Sequence, residues 1–156
     1  APNVDVIGGK VEAASYIYVL KEMAKRFPNL SMVATTLRGS LSASHNTWSG
    51  VLWDGGCFLV APVYDITPIV DRVGGGDSFA GGLIYALIDG RPAQDALEFA
   101  VAASCLKHSI PGDFNRVSVA EVEKLEAQQA GLEKEVADLE RALVAGRHED
   151  RVRIAA

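Results

Sequence analysis

Apolar positions recur at helical spacing from about Glu12 to Phe27. Ala14, Ile17, Tyr18, Leu20, Met23 and Ala24 form one stripe, and Pro28-Asn29 ends it. Residues 1–10 before it read as an irregular lead-in. Leu30 to Thr36 is a short apolar run that fits a buried strand. Leu41 to Leu52 and Phe58 to Pro62 then flank Asp54-Gly55-Gly56, and Asp-Gly between apolar segments is a strong hairpin signal. Ile66 to Val70 reads as a further short strand or an extended approach to a glycine cluster. A helix is expected from about Asp77 to Ile88, closed by Asp89-Gly90. A second apolar helix, rich in alanine, runs from Ala93 to His108, with Pro92 where a first-turn proline belongs. The loop Ile110-Pro-Gly-Asp-Phe-Asn115 breaks it. A helix followed by a strand is half of a crossover, so the order predicts an α/β sheet.

From Val119 the periodicity changes. Val122, Leu125, Gln129, Leu132, Val136, Leu139 and Leu143 alternate in steps of three and four, a heptad seam with one polar interruption. Glu126, Glu133 and Glu140 flank it on one side, Glu121 and Glu135 on the other. Two copies side by side would oppose like charges, and Gly131 costs about 1 kcal/mol relative to alanine. Packing of residues 119–145 on their own domain, or on a basic partner, is therefore favoured over a symmetric homodimer. The charged tail from Gly146 to Ala156 is expected to be loose.

The chain has 156 residues, the size of one domain, and at 49% hydrophobic it can build a real core. Its net charge of −5 argues against a general nucleic-acid binder, but not against binding a nucleotide through a few local donors. No apolar run is long enough to span a bilayer, and APNVDVIGGK lacks the basic-then-apolar pattern of a signal peptide. Cys57 and Cys105 lie far apart without metal-type spacing. The simplest reading is a reduced, cytoplasmic protein with no membrane partner. His45, His108 and His148 are scattered and read as surface or capping residues.

The chemistry concentrates in DRVGGGDSFAGGL, Asp71 to Leu83. It is not a P-loop, because no Gly-Lys-Ser/Thr follows, and not GxGxxG, because Phe79 holds the last glycine position. A glycine turn entering a helix leaves unpaired N–H groups, and with the helix dipole these favour an anion. Asp77 is expected at or near the N-cap, either capping the helix or pointing into the anion site. Gly81 and Gly82 suit close packing of the helix against the sheet. The plain alternative, a structural glycine turn with an aspartate cap, uses the same residues.

DRVGGGDSFAGG resembles the C-terminal signature of the ribokinase-like (PfkB) carbohydrate kinases, although Arg72 and Val73 depart from its commoner Thr-rich form. With TTLRGSLSASHNTWSGVLWDGG before it and FAVAASCLKHSIPGDFNRVS after it, residues 1–122 look like the 2-keto-3-deoxygluconate kinases. The resemblance implies a mainly parallel sheet with helices on both faces. It further implies ATP-dependent phosphorylation of a sugar acid hydroxyl, with Mg²⁺ accompanying the nucleotide. Asp77 would be the catalytic base. Gly74, Gly75 and Gly76, with the Asp77 amide, would form the anion hole. Thr36, Arg38 and Gly39 would reach the ATP phosphates, Arg38 through its planar fork. The adenine pocket would form around residues 102–115, including Asn115. Asp113 would touch substrate or a cation, or simply form a turn. Asp71 would hold a monovalent cation or fix the loop through backbone amides. The resemblance covers the catalytic half of such enzymes without the sugar-binding half. A nucleotide-binding module without turnover, or an interaction protein using the 119–145 helix, are the other readings. An exposed sheet edge would then pair within an oligomer or with a missing half.

Overall fold

In a computed structural model, residues 13–154 are described. The lead-in expected at residues 1–10 lies outside them. The elements run α1 (Ala13–Arg26), β1 (Val33–Ser42), β2 (His45–Trp53), β3 (Phe58–Val60), β4 (Tyr64–Ile66), α2 (Gly75–Ile88), α3 (Ala93–Lys107) and α4 (Val119–Ile154). One sheet holds all four strands. β2 pairs with β1 along one edge, and with β3 and β4 end to end along the other.

Every strand pairing among the described residues is antiparallel. The expected mainly parallel sheet is corrected here for a local reason: short links join these strands, and only antiparallel neighbours can be joined so closely. The first link was missed. Leu41–Leu52 was expected as one segment, but β1 continues to Ser42 and reverses at Ala43-Ser44, where the Ser42 Oγ accepts the Ser44 amide. No Asn-Gly or Asp-Gly marks that reversal. The Asp54 hairpin forms as expected. Asp54 Oδ1 accepts the amides of Gly56 (3.0 Å) and Cys57 (2.7 Å), and Gly55 sits at φ 95°. Beyond β4, residues 67–70 are not strand; the Ile69 amide bonds Ser44 O and the Val70 amide bonds His108 O.

Helices do cover both faces. On one, Leu20 of α1 packs with Val33, Leu37 and Val51. On the other, Trp48 and Leu52 of β2 meet α2 and α3 through Phe79, Leu97 and Val101. The alternation of β2 side chains thus feeds two cores. Gly82 lets α2 lie directly on α3, where a Cβ would stand 3.1 Å from Ala100 Cα. Its close approach is to a helix rather than to the sheet as expected. Gly81 faces open space.

α4 opens with a capping box: Ser118 N donates to Glu121 Oε2 (2.8 Å), and Glu121 N to Ser118 Oγ (3.4 Å). The helix runs through Gly131 and past Gly146, where a loose tail was expected. Of its seam, Val122 is buried and Leu125 half-buried against the α3 core. Gln129 reaches Val63 O at 3.4 Å. Leu132, Val136 and Leu139 are exposed.

Candidate active site

The chain enters α2 through Gly74, which takes φ 79° at the N-cap position with no side-chain cap. Asp77 is therefore not the cap; it stands in the first helical turn, where its carboxylate suits the helix dipole. Gly74 is tightly constrained: a Cβ there would meet the main chain of Asp113. The turn and the 110–115 loop thus close on each other.

The first amides of α2 divide into two groups. Gly75 N bonds Arg72 O at 3.3 Å, and Ser78 N bonds Gly74 O at 2.8 Å. The N–H groups of Gly76 and Asp77 donate to no acceptor among the described residues. A Cβ on Gly76 would meet nothing within 4 Å, so that stretch of backbone is open to approach. Of the amides from Gly74 to Asp77, where an anion hole is expected, that of Gly75 is engaged by Arg72 O, and those of Gly76 and Asp77 lie free in the first helical turn.

Directly beside them lies a cavity of about 510 Å³ between α2, α3, the 113–117 loop and the start of α4. Asp77, Ser78, Asp113 and Asn115 line it on the polar side; Tyr85, Phe99 and Phe114 supply aromatic wall. Asn115 is held at both ends: its Nδ2 donates to Ser78 Oγ (2.6 Å), and its Oδ1 accepts the Val117 amide (3.0 Å). These bonds fix the Asn115 side chain between α2 and the loop, at the cavity wall.

Asp71 clasps the two segments. Its Oδ1 accepts the Val73 amide at 3.0 Å and its Oδ2 the Gly112 amide at 2.8 Å. Those two bonds, Val73 first, hold its carboxyl below the usual range; slight burial opposes them and the charge of Lys107 adds to them. Arg72 has a structural task. Its guanidinium donates to Ala43 O at 2.6 Å and Ser42 O at 3.3 Å, tying the turn to the β1–β2 hairpin.

Thr36, Arg38 and Gly39 all lie on β1, and none of them lines the cavity. Register sets Thr36 opposite Gly50 and Arg38 opposite Trp48, on the sheet face turned towards α2 and α3. Gly39 falls on the other face, opposite Thr47. The structure therefore joins Gly74, Gly75, Gly76, Asp77, Asp71, Asp113 and Asn115 into one locus, with Arg38 on the same side of the sheet.

Three residues under the turn were missed. Ser104 Oγ donates to Gly75 O at 2.7 Å. His108, expected at the surface, is buried; its Nδ1 lies 2.7 Å from Ser104 O, and its ring meets Trp48 edge-on at 4.7 Å. Burial pushes its imidazole below the usual value. The Ser104 bond works against that, while the charges of Lys107, Arg72 and Arg38 reinforce it. Lys107 is buried as well. Positions 104, 107 and 108 share one helical face, so a polar strip in an alanine-rich helix was the available signal.

Cys105 is half-buried and burial pushes its thiol up to about 12; Cys57 is exposed, and both are free. Among the described residues no helix is long and apolar enough to cross a membrane.

The model of the pfkB family carbohydrate kinases matches residues 21–116. A 2-dehydro-3-deoxygalactonokinase of Haloferax volcanii is 37% identical over 81 residues, covering 51% of this chain and 25% of that protein. The crystal structure of 2-dehydro-3-deoxygluconokinase from Thermotoga maritima superposes with a TM-score of 0.72 at 43% identity, covering 81% of this chain and 36% of that one. A PfkB family carbohydrate kinase from Listeria grayi gives 0.68 at 32% identity, covering 81% and 40%. The chain thus spans a quarter to two fifths of the length of these relatives.

Proposed function

The chain belongs to the pfkB family of carbohydrate kinases, and from that footing we propose that its glycine turn serves ATP-dependent phosphorylation of a hydroxyl on a 2-keto-3-deoxy sugar acid. The observation that carries this reading is the pair of open amides at Gly76 and Asp77, set beside a carboxylate at a cavity mouth. Amide donors fixed in that way stabilise charge on a transferring phosphoryl group without reorganising. Each such donor contributes about 3 kcal/mol of barrier lowering, by analogy with oxyanion holes.

In this reading Asp77 takes the proton as the sugar hydroxyl attacks the terminal phosphorus of ATP. The new O–P bond forms, the bond to ADP breaks, and the carboxylate holds the proton. Gly76 and Asp77 amides steady the phosphoryl oxygens. Arg38 approaches the phosphates from β1 with Thr36 and Gly39 beside it, and Asp113 faces the substrate. The aromatic wall of Tyr85, Phe99 and Phe114 suits an adenine ring. Mg²⁺ would be held chiefly by ATP phosphates and water, with Asp77 and Asp113 as the nearby oxygen donors. The substrate class is supported by the two relatives named as kinases of 2-dehydro-3-deoxy sugar acids.

Titrating the full chain with ATP in a calorimeter, beside a coupled ADP-release assay with 2-keto-3-deoxygluconate and 2-keto-3-deoxygalactonate, tests the proposal. Binding with release is expected. Binding without release selects a nucleotide-binding module, and no binding ends the reading.

A further inference from the structure

The largest fully buried side chain among the described residues is a lysine, Lys107, at 0% exposure. An ammonium withdrawn from water is costly unless it is hydrogen-bonded and balanced by charge. Lys107 Nζ donates to Ile110 O at 3.0 Å. Its field also reaches Asp71, whose two oxygens are bonded to the Val73 and Gly112 amides. A buried cation and a carboxylate thus grip the same short loop, one at Ile110 and the other at Gly112. That loop carries Asp113, which lies against Gly74.

The resemblance to the ribokinase-like kinases offers Asp71 as a ligand for a monovalent cation. The site already holds a positive charge and so does not call for one. Both Asp71 oxygens already accept amides, the Ile110 carbonyl already accepts the ammonium, and the local positive charge is already present. A metal ion seated there would face that charge.

We infer that Lys107 is the resident cation of this site: its ammonium sets the 110–113 loop and the glycine turn against each other, and no monovalent metal ion is needed. Lys107 is thus a positioning residue. It acts through Ile110, Gly112 and Asp71 rather than by touching substrate. The part of the inference that concerns ATP rests on the reading of the turn as a phosphate site; the part that concerns loop closure does not.

The experiment compares the full chain with Lys107→Met and Lys107→Ala in potassium, sodium and choline chloride at one ionic strength. Melting temperature, ATP affinity and exchange protection of the Gly112 amide are read for each. The unsubstituted chain should give the same values in all three salts. Lys107→Met should lose Gly112 protection and weaken ATP binding about tenfold, the scale of a lost supporting contact. Methylammonium should partly restore Lys107→Ala. A rise in melting temperature or ATP affinity specific to potassium in the unsubstituted chain would overturn the inference. So would Lys107→Met with Gly112 protection intact. If neither variant folds, the salt comparison on the unsubstituted chain still decides. If ATP fails to bind in every salt, the phosphate-site reading falls, while the melting temperatures and Gly112 protection still judge Lys107.

Discussion

Gly74 and Asp113 are in main-chain contact: a Cβ built on Gly74 would overlap the Asp113 carbonyl group. No rotamer relieves such a clash, because both partners are backbone. Gly74 also needs its positive φ of 79°. Gly74→Ala should therefore lower the melting temperature, with the left-handed backbone alone costing about 1–2 kcal/mol. Gly76→Ala is the contrast. It meets open space, so stability should change by less than about 1 kcal/mol, while ATP affinity falls because a methyl now stands where phosphate approaches. Thermal melts paired with calorimetry separate the two effects. Gly75 is the poorer probe, since a Cβ there would press on buried His108 at 3.1 Å.

Asp77→Asn keeps the shape of the cavity mouth and removes the proton acceptor. In any preparation that turns over, ADP release should drop by at least about a hundredfold, with ATP affinity nearly unchanged. Release at the original rate would remove Asp77 as the base.

Glu126 supplies a pH test. Burial pushes its carboxyl up to about 6, with Arg91 working against the shift. A folded value above the unfolded one means that ionisation opposes folding. The penalty is absent below about 4.5 and complete above about 6. Glu126→Gln should match the parent's stability at pH 4 and exceed it at pH 7, by on the order of 1 kcal/mol once solvent screening is allowed. His108 runs the other way: its depressed folded value withdraws stability as pH falls through about 6.5. The variant-minus-parent difference isolates Glu126 from it. Equal melts across that range would contradict the assignment.

The α4 seam divides by packing. Val122 is 3% exposed, whereas Leu139 is 59% exposed. Val122→Ala should cost about 1–2 kcal/mol and Leu139→Ala almost nothing. Sedimentation equilibrium should find no self-association through the seam, because Glu121 would face Glu126, and Glu135 would face Glu140, of the other copy in a parallel pair. A dimer abolished by Leu139→Asp would contradict that expectation.

The sequence made some of this legible for identifiable reasons. Asp54-Gly55 carries its own turn chemistry, so that hairpin was readable. Gly74–Gly76 announce a close approach, and Asp71, Asp77 and Asp113 stand out by residue type beside glycine turns. Strand direction was not legible, because the Ala43-Ser44 reversal has no turn-specific residue and was absorbed into a continuous apolar run. Lys107 and His108 were passed over because lysine and histidine are usually exposed. Only the fold shows that both are buried beneath the turn. The Gly82 contact with Ala100 belongs to helix crossing, which no local pattern encodes.

The central claim is that the free amides of Gly76 and Asp77 receive a phosphoryl group beside the Asp77 carboxylate. A crystal structure of the chain with a non-hydrolysable ATP analogue tests it most directly. Terminal phosphate oxygens are expected within hydrogen-bond distance of both amides, with the adenine in the cavity walled by Tyr85, Phe99 and Phe114. An analogue bound elsewhere, with those amides left to solvent, would contradict it.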